Sequence, residues 1–328
     1  MLVPGSFDGA GGITAIAGNP LTNAPPPPDT VTAKTGRKEM ESRRYGPFAY
    51  TPINRRPKIT WPDGNHLALW VIPNIETFPL NEPVPGGTGV VPDVINWAPR
   101  DYGARIGVFR IMDVLEKHGV RGTVALNSEV CDDHPEIIED AIDLNWEFMG
   151  HNQSNSRYLH TMEDGPGREL VAATLDRIEA AVSIRPKGWL SSGLQQNWTT
   201  LEALIDGGVK YVADFINDDQ PYIMDVDGRQ ICSIPYSGEI NDLPQMRLGR
   251  TAEEFAEMIR RQFDTLYRES VETGSGRGMA ICLHPFIIGV PHRIGALDDA
   301  LSYISSHDGV WKATGCEIIN HYLTGETF

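Results

Sequence analysis

Three titratable side chains follow strand-like apolar runs in this sequence of 328 residues. Glu76 follows the run 67–75, and His151 and His284 each follow a shorter run. Continuous apolar runs of this length predict strands buried on both faces. Parallel α/β sheets place their chemistry at the carboxyl ends of such strands. The sequence therefore predicts one pocket shared by Glu76, His151 and His284.

The side chains of this predicted pocket are of the types needed for proton transfer. An imidazole with an ordinary pKa of about 6.5 suits a general acid or base at neutral pH, which makes His284 a candidate for either role. His151 stands four residues before Asn155, so the two share one face if a helical turn starts here; two histidines at this spacing would suit a metal, but Asn155 is a poor ligand for zinc. For each residue the alternative is structural: a solvated loop glutamate, or a histidine that only satisfies neighbouring polar groups.

Motifs and composition disfavour several classes of function. The sequence has no Gly-x-Ser-x-Gly elbow, which disfavours an α/β serine hydrolase, and no Gly-x-Gly-x-x-Gly or phosphate-loop pattern after a strand, which disfavours a nucleotide cofactor. The formal net charge of −16 disfavours nucleic acid and anionic membranes as partners. With no secretory signal, no apolar run of about 20 residues and four cysteines without CxxC spacing, we expect a cytoplasmic protein that acts on a small molecule.

Apolar periodicity alternates between strand-like and helix-like segments about seven times. This alternation favours parallel strands with helical crossovers, either in a (β/α) barrel with fewer than eight strands or in a doubly wound open sheet. Residues 1–40 are rich in Gly and Pro and predict a disordered or surface-wrapped arm, while residues 41–328 predict a single domain. Residues 77–102 contain five prolines and predict a long irregular loop that covers the substrate, followed by a helix over 103–118.

Short motifs spread over most of the chain, from about Tyr45 to Tyr322, together resemble the polysaccharide deacetylase (NodB-homology) superfamily. Within it the chain is most similar to the intracellular branch that contains deacetylase-type allantoinases and cyclic imidases. The motifs are Asn74-Ile75-Glu76, residues 102–110, Gly188-Trp189, residues 218–222, residues 234–236, Asn241-Asp242, Leu283-His284 and residues 288–293. Each motif is short, and the resemblance rests on their order and spacing.

The resemblance implies a distorted (β/α)7-like barrel of the NodB-homology type and hydrolysis of a C–N bond in an amide or cyclic imide. Glu76 then matches the catalytic base, and His284 matches the acid that protonates the leaving nitrogen. Thr77 and Asn155 stand where typical members have two of their three metal ligands, and only His151 is kept. A divalent metal such as zinc at Glu76 and His151 and a site without metal both stay open.

The residues expected to bind substrate are Asn155, Trp189, Ser191, Ser192 and Asp218. Backbone amides or side chains near Ser191 and Ser192 are expected to stabilise an oxyanion. The same resemblance leads us to expect a homodimer or homotetramer. Two other functions fit the predicted fold: a metal-dependent N-deacetylase of an acetylated sugar, and a binding protein that has lost its chemistry but retains the pocket.

Overall fold

The computed structural model describes residues 46–325, and the arm predicted for residues 1–40 lies outside them. The strands are β1 Leu67–Ile75, β2 Thr123–Leu126, β3 Glu147–Gly150, β4 Gly188–Trp189, β5 Tyr211–Val212, β6 Tyr222–Val226, β7 Arg229–Ser233, β8 Arg277–Leu283 and β9 Val310–Lys312. The α-helices are α1 Val94–Tyr102, α2 Val108–Lys117, α3 Val130–Asp133, α4 Pro135–Asp143, α5 Asp164–Val182, α6 Thr200–Asp206, α7 Asp242–Arg247, α8 Ala252–Thr273, α9 Ile294–Ser305 and α10 Gly315–Gly325. Over this range, none of the helices has the combination of length and apolar composition that a bilayer span requires.

The strands form one curled sheet in the order β6-β7-β5-β4-β3-β2-β1-β8, with β9 alongside the start of β1. Neighbouring strands are parallel, apart from β6 and β7, which form an antiparallel hairpin. Segments that follow β5 and β7 lie along the outer edge of β8, where Asp219 O accepts from Gly278 N and Asn241 pairs with Cys282. The predicted α/β barrel is confirmed in this curled, distorted form.

β1 lies between β2 and β8 in the sheet, and all nine of its residues are buried. Its side chains alternate in direction. Leu67, Leu69 and Val71 pack with apolar side chains of the surrounding helices, whereas Ala68 and Trp70 belong to the cluster that fills the barrel interior. A strand covered on both faces has no polar side to show, which explains why the sequence of β1 is continuously apolar.

The parallel register brings the ends of several strands to one mouth of the barrel. Ile75 at the end of β1 pairs with Leu126 of β2, which pairs with Gly150 of β3. On the other side of β1, Pro73 pairs with Leu283 of β8. The residues that follow these strands, among them the three predicted to carry chemistry, therefore lie at the same mouth.

The segment after β1 differs from its predicted conformation. Residues 94–102, expected in an irregular loop, form α1, whose first turn is capped by Asp93 Oδ1. The prolines of this segment had suggested an irregular loop, but a helix capped by Asp93 forms and contains Pro99. A π-helical turn, Gly103–Gly107, then joins α1 to α2, so the predicted helix exists but is not a single regular one.

Candidate active site

Glu76 follows β1 and lies at the centre of a buried polar cluster at the barrel mouth. Asn155 Nδ2 donates to Glu76 Oε1 at 2.5 Å, and the same oxygen lies 3.5 Å from His151 Nε2 and 3.7 Å from His284 Nε2. The side chain of Glu76 is 5% exposed, and its second oxygen, Oε2, is buried without a hydrogen-bond partner among the described residues. The structure thus places Glu76, His151, His284 and Asn155 in direct proximity.

His151 presents a nitrogen without a hydrogen to this cluster when its ring is neutral. Its Nδ1 lies 2.6 Å from the Leu190 carbonyl oxygen, which only accepts, so Nδ1 must carry the hydrogen. Nε2 is buried and has no hydrogen-bond partner in the part of the chain that the structure describes. A lone pair aimed at the Glu76 carboxylate is unfavourable unless a proton, a water molecule or a cation lies between them. The pair is therefore arranged to hold a ligand atom.

His284 follows β8 and is held by the buried carboxylate of Asp242, the first residue of α7. Asp242 Oδ2 accepts the backbone amide of His284 at 2.8 Å, and Oδ1 accepts from its Nδ1 at 2.7 Å. These two bonds fix the ring so that Nε2 faces Glu76. Sequence reasoning did not place Asp242 in the site, although the Asn241-Asp242 motif contained the signal.

The pKa values of Glu76 and His284 are displaced in opposite directions. Burial alone would raise the pKa of Glu76, but the charge of His284 and the hydrogen-bond donors around the carboxylate outweigh it and hold the pKa below the ordinary 4.5. Burial alone would lower the pKa of His284, but the carboxylates of Asp242 and Glu76 outweigh it and raise the pKa above the ordinary 6.5. At neutral pH a proton acceptor and a proton donor therefore lie side by side.

The cluster opens into a cavity of about 430 Å³, a size that suits a small molecule. Besides the cluster, its walls include Phe78, Arg100, Tyr158, Ser191, Tyr236, Arg247 and Phe286. A neighbouring cavity of about 620 Å³ also reaches Glu76, but neither His151 nor His284 lines it. The smaller cavity is therefore the candidate active site.

Two residues predicted to bind substrate support the cavity from behind. Strand alternation directs Trp189 outward into the cluster under α5 and α6, where it is fully buried, whereas Leu190 faces the interior. Ser192 is also buried, and its hydroxyl lies 2.6 Å from Asn155 Oδ1, which turns the Asn155 amide nitrogen toward Glu76. Neither Trp189 nor Ser192 lines the cavity; each instead bonds to a residue that does, Ser191 and Asn155 respectively, so the structure places both behind the predicted substrate contacts.

Ser191 lines the cavity, but the backbone amides expected to stabilise an oxyanion are occupied. Ser191 N donates to Asp214 Oδ1 at 2.6 Å, and Ser192 N lies 3.5 Å from Asn152 Oδ1. The Ser191 hydroxyl accepts a hydrogen bond from Trp189 Nε1 at 2.9 Å, which leaves its own hydrogen available to the cavity. The hydrogen-bond donor on this wall of the cavity is therefore the Ser191 hydroxyl. Its loop is held in place by the hydrogen bond from Ser191 N to Asp214.

Asp218 lies at the opposite end of the barrel from the cluster. Its carboxylate pairs with Arg56, in the segment before β1, at 2.6 and 2.7 Å. The neighbouring Asp219 carbonyl bonds to Gly278 near the start of β8, whereas His284 follows the end of that strand. The structure therefore does not bring Asp218 to the candidate cavity, because the chain after β5 runs back along the edge of β8.

The chain is similar to proteins of known fold over most of its length, although no family model matches it. A curated putative polysaccharide deacetylase from Schizosaccharomyces pombe is 26% identical over 233 residues, which cover 65% of this chain and 72% of that protein. A probable polysaccharide deacetylase from Pseudomonas aeruginosa PAO1 has a TM-score of 0.74 at 24% identity, over 84% of this chain and 97% of that one. PuuE allantoinase has a TM-score of 0.75 at 23% identity, over 83% and 95% of the two chains.

The chain is therefore similar in sequence to a protein named as a putative polysaccharide deacetylase, and similar in fold to solved structures of a deacetylase and an allantoinase. The structural likeness confirms that the barrel is of the distorted NodB type implied by the sequence motifs.

Typical polysaccharide deacetylases depend on a metal, and the residues of this chain do not fit a three-ligand centre. No group of three His, Cys, Asp or Glu side chains in the described residues is arranged to hold an ion. At one of the family's ligand positions the Thr77 hydroxyl lies 3.4 Å from Asp133, and at another Asn155 turns its amide nitrogen to Glu76. The metal predicted at Glu76 and His151 stays a prediction.

Proposed function

We propose that the protein hydrolyses a non-peptide C–N bond, in an amide or a cyclic imide, of a small molecule. The observation that carries this proposal is the placement of Glu76 Oε1 3.7 Å from His284 Nε2 at the wall of a cavity of about 430 Å³. The relatives are named as deacetylases and an allantoinase, and these names support C–N hydrolysis as the reaction type.

Glu76 acts as the general base in this proposal. Its Oε2, which has no hydrogen-bond partner in the described part of the chain, takes a proton from a water molecule whose oxygen attacks the substrate carbonyl carbon. The lone pair on His151 Nε2 accepts the second hydrogen of that water and so orients it. The Ser191 hydroxyl donates to the oxygen that becomes negatively charged.

His284 acts as the general acid. Asp242 accepts the Nδ1 hydrogen and stabilises the imidazolium, which places the transferable proton on Nε2. When the tetrahedral intermediate collapses, the C–N bond breaks and the nitrogen takes this proton. The proton gained by Glu76 is then returned to His284 or to solvent. The products are a carboxylic acid and an amine or amide, which stay joined when a cyclic imide is opened.

The test is the substitution of each proton-transfer residue, followed by assay against imides, lactams and N-acetylated sugars. We expect Glu76→Gln and His284→Gln each to lower kcat about 100-fold or more, because each removes one proton transfer. Glu239→Gln and His160→Gln are matched controls at exposed positions and should retain wild-type turnover. Wild-type turnover in both Glu76→Gln and His284→Gln would defeat the proposal.

An N-acetylated sugar is the alternative substrate, because the curated relative is named a putative polysaccharide deacetylase. The same panel separates the two substrate classes. Acetate release from N-acetylated sugars, with no opening of imides or lactams, would favour the alternative.

A further inference from the structure

Arg100, in the wall of the candidate active site, is a cation that has no ion pair with any carboxylate of residues 46–325. It lies in α1, and its guanidinium packs 4.6 Å from the centre of the Phe78 ring and 5.2 Å from that of Phe286. One terminal nitrogen donates to the Asn96 carbonyl, while Nε is buried without a hydrogen-bond partner among the described residues. The two rings fix the guanidinium plane beside the cavity, with hydrogen-bond capacity unused.

Arg247 is a second cation that lines the same cavity and lacks a carboxylate partner in the described part of the chain. It is the last residue of α7, is exposed, and forms no ion pair or side-chain hydrogen bond with any residue in the range 46–325. Most arginines of this range differ from Arg100 and Arg247, since twelve of them form ion pairs with carboxylates. In a chain with 44 acidic and 28 basic residues, two cations without a carboxylate partner at one cavity need an explanation.

The carboxylate of the cavity does not neutralise these arginines. Among residues 46–325, Glu76 is the sole acidic residue lining it, and its hydrogen bonds and close contacts go to Asn155 and the two histidines. Burial lowers the pKa of Arg100. The negative charge of Glu76 opposes this shift, whereas the positive charge of Arg247 lowers the pKa further, so the three charged groups interact electrostatically. A partly buried cation without a partner is costly, and a bound anion would remove that cost.

We propose that Arg100 and Arg247 bind a carboxylate carried by the substrate, so that the enzyme acts on amides or imides that are anionic. A planar guanidinium matches a carboxylate with two parallel hydrogen bonds. Arg100 is fixed by the two rings, while the exposed Arg247 closes on the ligand from α7, the helix that also holds His284 through Asp242. This inference rests on the proposed function for the reacting bond and adds the charge of the substrate.

The test compares the binding of succinamate, which carries one carboxylate and one amide, with that of succinamide, in which the carboxylate is replaced by a second amide. Calorimetric titration uses the full chain with Glu76→Gln, so that turnover does not disturb the measurement. We expect succinamate to bind at least about tenfold more tightly than succinamide. Adding Arg247→Gln or Arg100→Gln should remove this preference and leave succinamide binding within about twofold.

Arg250→Gln is the matched control, because it removes the same charge three residues beyond Arg247, at an exposed position outside the cavity wall. It should leave the preference intact. Because Arg100 also packs on two rings, Arg247→Gln is the variant that keeps the test valid if Arg100→Gln fails to fold. Equal binding of the two probes, or an equal loss in Arg250→Gln, would overturn the carboxylate site.

Inorganic phosphate, titrated in the same way, distinguishes the kind of anion. Binding of phosphate more tightly than succinamate would overturn the assignment to a carboxylate. The outcomes also separate this inference from the proposed function. Turnover of neutral amides without charge preference would refute only the arginine site, and arginine-dependent succinamate binding without any hydrolysis would refute only the proposed reaction.

Discussion

Glu76 illustrates how a buried carboxylate is kept ionised by its neighbours. Isolated burial would favour its protonated form, yet the imidazole of His284 and the amide of Asn155 together hold the charge. The same carboxylate helps to keep His284 protonated. Each group therefore sets the protonation state that the other needs, and loss of a partner should be visible in the pH dependence of activity.

The pH profile is expected to report these two groups. The proposed mechanism requires ionised Glu76, so the acidic limb of kcat/KM should lie below pH 4.5, since the pKa is lowered from that value. It also requires protonated His284, so the alkaline limb should lie above pH 6.5, since that pKa is raised. Asp242→Asn removes the negative charge that lies beside His284, so the pKa of His284 should fall. The alkaline limb should then move to lower pH by about one unit or more.

A profile of kcat/KM from pH 4 to pH 10 measures this shift in Asp242→Asn. Asp299→Asn, at an exposed position of α9, removes an equal charge away from the cavity and should leave both limbs in place. A merely structural role of Asp242 would lower activity at every pH without moving the limb, and that result would contradict the prediction.

At the residue scale, strand-end positions were predictable and side-chain contacts were not. Glu76 and His284 follow long apolar runs, and the rule for parallel sheets places such residues together. Arg100 lies in a segment predicted as loop, and nothing in its local pattern distinguishes it from a surface arginine. Trp189 was expected to line the pocket but packs under the helices. The side chains of a strand alternate between its two faces, and β4, with only two residues, is too short for its sequence to show which face Trp189 occupies.

The helical segment after the long loop positions the residues beyond His284 by close contact. Gly103 and Gly107, in the π-helical turn, face the chain directly after β8: a Cβ on Gly107 would lie 2.1 Å from the Pro285 carbonyl oxygen, and one on Gly103 would lie 2.6 Å from the Phe286 nitrogen. The turn thus packs backbone against backbone next to the imidazole of His284. Glycine is required at both positions because a larger side chain would clash with the backbone of the neighbouring segment.

Gly107→Ala should therefore displace the segment that carries His284. Because the Cβ meets backbone rather than a flexible side chain, we expect the free energy of unfolding to fall by about 1–3 kcal/mol. We also expect kcat/KM to fall about tenfold or more, since misplacement of the acid slows proton transfer. Urea unfolding and steady-state kinetics measure the two effects.

Gly295→Ala is the matched control, because no atom lies within 4 Å of the added Cβ in α9. Alanine is the better helix former there, so stability should stay equal or rise by about 0.5–1 kcal/mol, with unchanged kinetics. Equal behaviour of Gly107→Ala and Gly295→Ala would refute the close-contact argument.

At the element scale, the sheet was predictable because β1 and β8 are long and continuously apolar. The prediction failed where a short polar segment decides the structure. Asp93 caps α1 in a stretch whose prolines suggested a loop, and the π-helical turn has no periodicity of its own. The Asp93 cap is local, since its carboxylate accepts from Thr88 and Asn96, but the turn packs against the distant residues after β8, a contact that local sequence does not contain.

Across the whole barrel, the two ends of the strands have different tasks. The mouth that follows the strand ends holds the carboxylate, the imidazoles and the unpaired arginines. The opposite end is closed by structural contacts: Trp61 Nε1 donates to the Arg277 carbonyl at 2.9 Å and its ring packs near Trp311, while Arg56 pairs with Asp218. In α/β barrels such a division separates chemistry from stability.

Asp218→Asn tests this division, because the residue was expected to bind substrate and lies instead at the structural end. Its side chain is 10% exposed, that of Arg56 is 21% exposed, and one of its oxygens also accepts the Gln220 amide. Removing the charge leaves the Arg56 guanidinium without its anion, so the free energy of unfolding should fall by about 1–3 kcal/mol. The kcat/KM should stay within about twofold of wild type, and the double substitution with Arg56→Gln should cost less than the sum of the two single changes. A fall in kcat/KM at unchanged stability would instead place Asp218 in the reaction and contradict the separation of the two ends.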